Sequence, residues 1–117
     1  MADNVEPIDP EDAKALIDEG EAVVIDVREP AEILVTGKVP GSINIPLAEF
    51  LAKADPGSPD HEPALQPEKT AILYCASGKR SEFAGNKLVE LGYREVLNLG
   101  GFKDWELAGL PVDEATE

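Results

Sequence analysis

Residues 71–83 read AILYCASGKRSEF and place the single cysteine of the chain, Cys75, at the end of an apolar run. The run has the composition of a buried strand, and the segment that follows it has the pattern of a helix. A short polar turn with Gly78, Lys79 and Arg80 joins the two. A tight turn of this kind directs backbone N–H groups inward, at the positive end of the helix. The stretch therefore predicts a site for an anion or an ionised thiol at Cys75.

Strand-like runs recur on both sides of this stretch. AVVID at residues 22–26 is unbroken and rich in β-branched residues, which is typical of a parallel strand covered on both faces. EVLNL at residues 95–99 predicts another strand, and a short one is predicted around Ile43 and Ile45. Because helical patterns lie between the runs, the sequence predicts an α/β sandwich around a mainly parallel sheet.

Two of the helical segments carry detailed signals. Residues 9–20 have Asp9 as a candidate N-cap, Pro10 at the first helical position and Gly20 just past the end. Residues 81–92 predict a helix that stops at Gly92. Its buried face is predicted to contain Phe83, Ala84, Leu88 and Leu91.

Composition excludes several function classes. The 24 acidic and 10 basic residues give a net charge of −14, which argues against nucleic acid or an anionic membrane as a partner. One cysteine excludes an internal disulfide, and without a cluster of cysteine and histidine we expect no metal and no other cofactor. The acidic N-terminal sequence lacks the pattern of a signal peptide, so we expect a cytoplasmic protein.

Cys75 itself is open to two interpretations. A cysteine at a strand end packs well as a small buried hydrophobe. The turn favours the reactive alternative, because Lys79 and Arg80 add positive charge and Gly78 permits an unusual backbone angle. These effects lower a thiol pKa from about 8.5 into the range of roughly 3.5 to 7.5.

Four motifs in order resemble a single-domain rhodanese: DVRE at 26–29, GKVPGSINIPL at 37–47, YCASGKRS at 74–81 and GYREVLNLGGFKDWELAGLPV at 92–112. The resemblance runs from about Val5 to Val112. One departure is Lys38, since the family usually has histidine in this turn.

The resemblance implies a rhodanese-like three-layer sandwich, with a five-stranded, mainly parallel sheet and helices on both faces. We predict one domain over residues 5–112, with flexible segments at 1–4 and 113–117. The resemblance to rhodanese also implies a sulfurtransferase, which moves a sulfane sulfur from thiosulfate or a related donor to cyanide or a thiol. The sulfur would be carried as a persulfide on Cys75. In that assignment the substrate-binding residues are Ala76, Ser77, Gly78, Lys79 and Arg80, and the supporting residues are Asp26, Arg28 and Ser81.

The roles of the supporting residues stay open at this point. Asp26 and Arg28 either brace the loop or contact the substrate, and the hydroxyls of Ser77 and Ser81 either donate to the persulfide or cap the helix. The partners implied are a small-molecule sulfur donor and a thiophilic acceptor, or, in an alternative function, a protein of a sulfur relay.

Phosphatases and arsenate reductases of the same fold are the nearest rivals. Cysteine-dependent phosphatases carry a loop one residue longer than the four residues between Cys75 and Arg80. A shorter loop suits a single sulfur atom better than a phosphate group, so we predict sulfur chemistry.

Overall fold

The five strands form one parallel sheet in the computed structural model, which describes residues 3–114. The strand order is β1-β5-β4-β2-β3, and each neighbouring pair is parallel. The strands are β1 (Glu6–Pro7), β2 (Ala22–Asp26), β3 (Ile43–Asn44), β4 (Thr70–Cys75) and β5 (Glu95–Gly101).

Helices cover both faces of this sheet. They are α1 (Pro10–Asp18), α2 (Pro30–Thr36), α3 (Phe50–Ala54, preceded by a 3-10 turn at Leu47–Glu49), α4 (Lys79–Glu90) and α5 (Phe102–Leu107). One core contains side chains of α3 and α4, and the other contains side chains of α1 and α5. The predicted three-layer α/β sandwich with a five-stranded sheet is therefore confirmed.

β4 is the centre of the sheet, and its residues alternate between the two cores. Leu73 and Cys75 face α3 and α4, whereas Ile72 and Tyr74 face α1 and α5. All four side chains are fully buried, as expected for a strand covered on both sides. This alternation places the Cys75 side chain beneath the first turn of α4.

A β-bulge interrupts the pairing of β4 with β5. Leu73 pairs with Asn98, but Tyr74 pairs with Gly100, so Leu99 is the extra residue. Gly100 has a φ of +93°, a value that suits glycine. The bulge brings the end of β5 close to the turn that follows Cys75.

The structure adds one strand that was not predicted and corrects one sequence prediction. β1 was not predicted, because two exposed residues carry no strand pattern. The predicted inward position of Phe83 is wrong: α4 begins at Lys79, and its buried residues are Ser81, Ala84, Gly85 and Leu88. Phe83 is 53% exposed, since it is one position, or about 100° of helix rotation, from Ala84.

The ends of the predicted domain fall at the limits of the described chain. Of the segments predicted to be flexible, residues 1, 2 and 115–117 lie outside the described residues. Asp113 forms an antiparallel backbone pair with Lys38, with N···O distances of 2.8 and 2.9 Å. No helix within residues 3–114 is both long enough and apolar enough to cross a membrane.

The orientation of α4 is testable with two substitutions on this helix. We expect Leu88→Ala to lower the free energy of unfolding by about 2–5 kcal/mol, because it opens a cavity in the core. Phe83→Ala should cost less than about 1 kcal/mol, because the ring is half exposed and packs beneath the Lys87 ammonium, 5.1 Å from its centroid. Urea unfolding measures both values, and similar losses for the two variants would contradict the observed helix orientation.

Candidate active site

Cys75 is the last residue of β4 and lies at the carboxyl ends of the central strands, where ligands bind in open parallel sheets. The residue has no exposed surface. The Gly78 N–H donates to Cys75 Sγ at 3.0 Å, and Ser81 Oγ lies 3.5 Å from the sulfur. The sulfur therefore sits inside the turn, among donors that the turn itself supplies.

The turn over the sulfur depends on two glycines. Gly78 donates its N–H to the sulfur, and its φ of +97°, in the left-handed region, then turns the chain into α4. Gly101 allows the turn to lie against β5, because a Cβ at this position would be 2.5 Å from the carbonyl oxygen of Ala76. The predicted strand-to-helix turn thus depends on residues of two separate segments.

The environment of the sulfur changes its acidity. Burial of Sγ raises the pKa of Cys75, because desolvation disfavours the thiolate. Hydrogen bonds from the Ser81 hydroxyl and from the backbone N–H groups of Ser81, Gly78 and Ser77 lower the pKa and outweigh burial. The net result is a thiol pKa below its ordinary value, the direction that a nucleophilic cysteine needs.

Arg80 is held by a carboxylate of another helix. Its two terminal nitrogens each donate to Glu32 of α2 at 2.8 Å, in a bidentate pair. This hydrogen-bonded pairing is the main cause that lowers the pKa of Glu32 to about 2 and raises that of Arg80. Glu32 also accepts the backbone N–H of Glu29 and so caps α2. Arg80 thus joins the cysteine turn to α2.

Lys79 differs from Arg80 although the two are adjacent. Its side chain is exposed, and no carboxylate within residues 3–114 forms an ion pair with it. Lys79 is therefore the cation of the turn that faces solvent.

Asp26 and Arg28 form a buried ion pair at the end of β2, the strand next to β4. The exposed fractions are 0% and 2%, and Arg28 Nη2 lies 2.7 Å from Asp26 Oδ2. The guanidinium also donates to Thr36 Oγ1 and to the carbonyl oxygen of Gly37, at the end of α2. These contacts favour bracing over substrate contact, and what the pair braces is α2 rather than the cysteine turn directly.

The two serines of the turn lie in different environments. Ser77 is exposed, whereas Ser81 is fully buried beside the sulfur. The Ser81 hydroxyl is 2.7 Å from Asn98 Oδ1, and Asn98 Nδ2 donates to the Gly78 carbonyl at 3.2 Å. Asn98 therefore joins the site from β5.

Glu32 and Asn98 are the residues of the site that sequence reasoning missed. The Glu29–Glu32 capping box in EPAE was a readable signal for the helix, although it did not indicate the contact with Arg80. Asn98 interrupts the apolar run EVLNL, and a polar residue in a buried strand is a signal for a hydrogen-bond partner.

We compared this chain with protein families, curated proteins and solved structures. The family model of the rhodanese-like domain matches residues 9–108. The chain belongs to the rhodanese-like sulfurtransferase family.

Two relatives and one solved structure show the extent of this similarity. Thiosulfate sulfurtransferase GlpE of Pseudomonas savastanoi is 33% identical over 102 residues, which cover 84% of each chain. A mouse thiosulfate sulfurtransferase/rhodanese-like domain-containing protein 3 is 35% identical over 98 residues, 79% of this chain and 62% of that protein. A structure from Rhodopseudomonas palustris superimposes with a TM-score of 0.85 at 36% identity, covering 93% of this chain and 85% of that one. That protein is of unknown function and is named as a possible tyrosine phosphatase.

The pair between Glu32 and Arg80 predicts a pH-dependent stability. The folded pKa of Glu32 is lowered, so its contribution is present above the unfolded value of about 4.3 and is lost as pH falls toward 2. Glu32→Gln should therefore lower the free energy of unfolding near neutral pH, by at most about 1 kcal/mol because both side chains are partly exposed. The difference from wild type should shrink as pH falls from about 4.3 to 2.

Denaturant unfolding at a series of pH values measures this difference. Glu82→Gln is the matched control, since Glu82 is an exposed residue in the first turn of α4. A gap between wild type and Glu32→Gln that is independent of pH would contradict the assignment.

Proposed function

We propose that this protein is a thiosulfate sulfurtransferase that carries sulfur as a persulfide on Cys75. The observation that carries the proposal is the buried Cys75 Sγ, which receives the Gly78 N–H at 3.0 Å within a turn of four residues between cysteine and arginine. The lowered thiol pKa supports a nucleophilic thiolate, the form needed for covalent catalysis.

The proposed reaction has two steps. In the first, the Cys75 thiolate attacks the outer sulfur of thiosulfate, the sulfur–sulfur bond of the donor breaks, and its electron pair leaves with sulfite. The persulfide that forms keeps the single negative charge on its outer sulfur. In the second step, cyanide or an external thiolate attacks that outer sulfur, and the electron pair of the broken bond returns to Cys75 as thiolate.

The turn supplies groups for the persulfide anion and for the thiosulfate dianion. Backbone N–H groups of residues 76–80 would hold the outer sulfur, because they belong to the turn that folds over Sγ. Lys79 would attract the dianionic donor, since its ammonium is exposed. The family resemblance implies substrate binding by Arg80 as well, but both terminal nitrogens of Arg80 are bound to Glu32. We therefore assign Arg80 the role of holding the turn.

The acceptor must come from outside the chain, because there is no second cysteine to resolve the persulfide. Cyanide and small thiols satisfy this requirement, and so does a cysteine on a protein of a sulfur relay. A cytoplasmic location would fit the chemistry, since the cytosol keeps thiols reduced.

Phosphatase activity is the rival function, favoured by the name of the Rhodopseudomonas protein. The short turn opposes it, because four residues between Cys75 and Arg80 leave a narrower ring of N–H groups than a phosphate group needs. Arg80 is also engaged by Glu32 rather than free to bind phosphate oxygens.

The persulfide is directly testable by intact-mass spectrometry. After treatment with thiosulfate, we expect wild type to gain one sulfur atom that reductant or cyanide removes, because the thiolate accepts the outer sulfur of the donor. Cys75→Ser should show no gain and should lose thiosulfate:cyanide transfer, since the hydroxyl is not ionised. Equal transfer rates for the two proteins would refute the role of Cys75.

The same preparation distinguishes the rival functions. Hydrolysis of an aryl phosphate faster than sulfur transfer would support a phosphatase. A stable persulfide with negligible thiosulfate turnover, but rapid transfer to a protein thiol, would support a relay.

The role of Lys79 can be tested with its charge-matched counterpart at the opposite end of β4. We expect Lys79→Ala to raise the KM for thiosulfate several-fold with little change in kcat, because the exposed ammonium attracts the dianion before the reaction. Lys69→Ala removes the same charge about 20 Å away along the strand and should leave KM unchanged. Steady-state kinetics at low ionic strength measures both, and equal KM values for the two variants would contradict the role of Lys79.

A further inference from the structure

The Ser81 hydroxyl has one proton and three neighbouring acceptors. Its Oγ lies 2.7 Å from Asn98 Oδ1, 3.1 Å from the Gly78 carbonyl oxygen and 3.5 Å from Cys75 Sγ. A hydroxyl donates one full hydrogen bond at a time. The shortest of the three distances is to Asn98, so the proton is directed there rather than to the sulfur.

The backbone fixes the orientation of the Asn98 amide. The Gly100 N–H donates to Oδ1 at 2.9 Å, and Nδ2 donates to the Gly78 carbonyl at 3.2 Å. A flipped amide would set an NH2 group against the Gly100 N–H and an oxygen against the Gly78 carbonyl. Oδ1 is thus an acceptor held in place for Ser81 by two backbone groups, one on the bulge of β5 and one in the cysteine turn.

We propose that Asn98 is a positioning residue that competes with Cys75 Sγ for the Ser81 proton. While the sulfur is uncharged, the proton rests on the Asn98 contact. When Sγ becomes a thiolate, the charge-assisted bond from Ser81 to the sulfur is the stronger one, and the hydroxyl turns toward it. Asn98 then keeps its Gly100 bond.

This competition serves both states of the proposed cycle. The free thiolate carries its charge on Sγ and uses the Ser81 proton. The persulfide carries its charge on the outer sulfur, so Sγ is neutral and Ser81 returns its proton to Asn98. Asn98 thereby keeps the buried hydroxyl hydrogen-bonded in either state, which avoids the cost of an unsatisfied polar group.

The elements packed around the cysteine turn also carry charged residues. They are Lys79, Arg80 and Glu82 on α4, Glu32 on α2, Asp26 and Arg28 at the end of β2, and Lys103 and Asp104 on α5. The substitutions used below leave all of these groups in place, so a change in the titration of Cys75 reports the hydroxyl contact and the local backbone.

A double-mutant cycle between Asn98 and Ser81 tests the proposal. The pH midpoint of Cys75 ionisation is measured from the ultraviolet absorbance of the thiolate, with Cys75→Ser providing the baseline for the tyrosines. Ser81→Ala should move the midpoint to higher pH, because the thiolate loses a donor. Asn98→Ala should move it to lower pH in the presence of Ser81, by about half a pH unit, since the competing acceptor is gone.

The cycle separates this effect from any loosening of the turn. Loosening of the turn would occur whether or not Ser81 is present. The shift of the Cys75 midpoint caused by Asn98→Ala is therefore measured in wild type and in Ser81→Ala. The first shift minus the second is the part that acts through the Ser81 hydroxyl. We expect this difference to be a shift of the midpoint to lower pH. A difference of zero, or a shift to higher pH, would overturn the proposal.

Two controls complete the experiment. Asn86→Ala removes an exposed asparagine of α4, and Tyr93→Phe removes a buried hydrogen bond to the Ala54 carbonyl oxygen, beyond the far end of α4. Neither should move the midpoint. The inference rests on the proposed sulfur transfer, but the titration of Cys75 requires no turnover. Failure to form a persulfide would therefore refute the proposed function, whereas the effect of Asn98 on the Cys75 midpoint could still be interpreted.

Discussion

The hydrogen bond from the Gly78 N–H to Cys75 Sγ sets the geometry of the whole site. It requires a left-handed residue immediately before α4 and a turn that folds back over the end of β4. That turn then needs space, which Gly101 of β5 provides beside the carbonyl of Ala76. Side chains larger than hydrogen at either position would move the amides away from the sulfur. The local chemistry of one thiol thus depends on backbone conformation in two segments that are distant in sequence.

Electrostatic contacts hold α2 at both of its ends, to the cysteine turn at one end and to the ion pair after β2 at the other. Near its start, Glu32 binds Arg80; at its end, Thr36 and the Gly37 carbonyl bind Arg28. Arg28 is in turn neutralised by Asp26 and packs over the ring of Phe102, 4.7 Å from its centroid. A chain with a net charge of −14 therefore uses two of its ten cations to fix one short helix, and leaves Lys79 exposed at the turn.

The sequence was most informative where the pattern is local. The β-branched run of β2, the apolar run of β4 and the Asp9–Pro10 start of α1 all lie within a few residues and were predicted correctly. β1 has two exposed residues and owes its existence to pairing with Leu97 and Asn98 of β5, which no local pattern reveals. The inward position of Phe83 was wrong because hydrophobicity alone does not fix the rotation of a helix on a sheet.

The site shows the same division between local and distant contacts. The cysteine, its glycine and the two cations lie within six residues, so their turn could be predicted from spacing. Glu32 reaches Arg80 across 48 residues, and Asn98 reaches Ser81 across 17. Those partners depend on strand order and on the bulge at Leu99, which the sequence does not encode in any single stretch.

Complete burial of the Cys75 side chain has a consequence for selectivity among attacking molecules. The thiol sulfur has no exposed surface, so bulky oxidants and foreign disulfides have little access to it. In the proposed cycle, one more sulfur atom on Cys75 would extend the reactive end by about 2 Å, the length of a sulfur–sulfur bond. The outer sulfur of the proposed persulfide would lie nearer the protein surface than Sγ does, so a large acceptor would reach that sulfur more readily than a large oxidant reaches the unloaded thiolate.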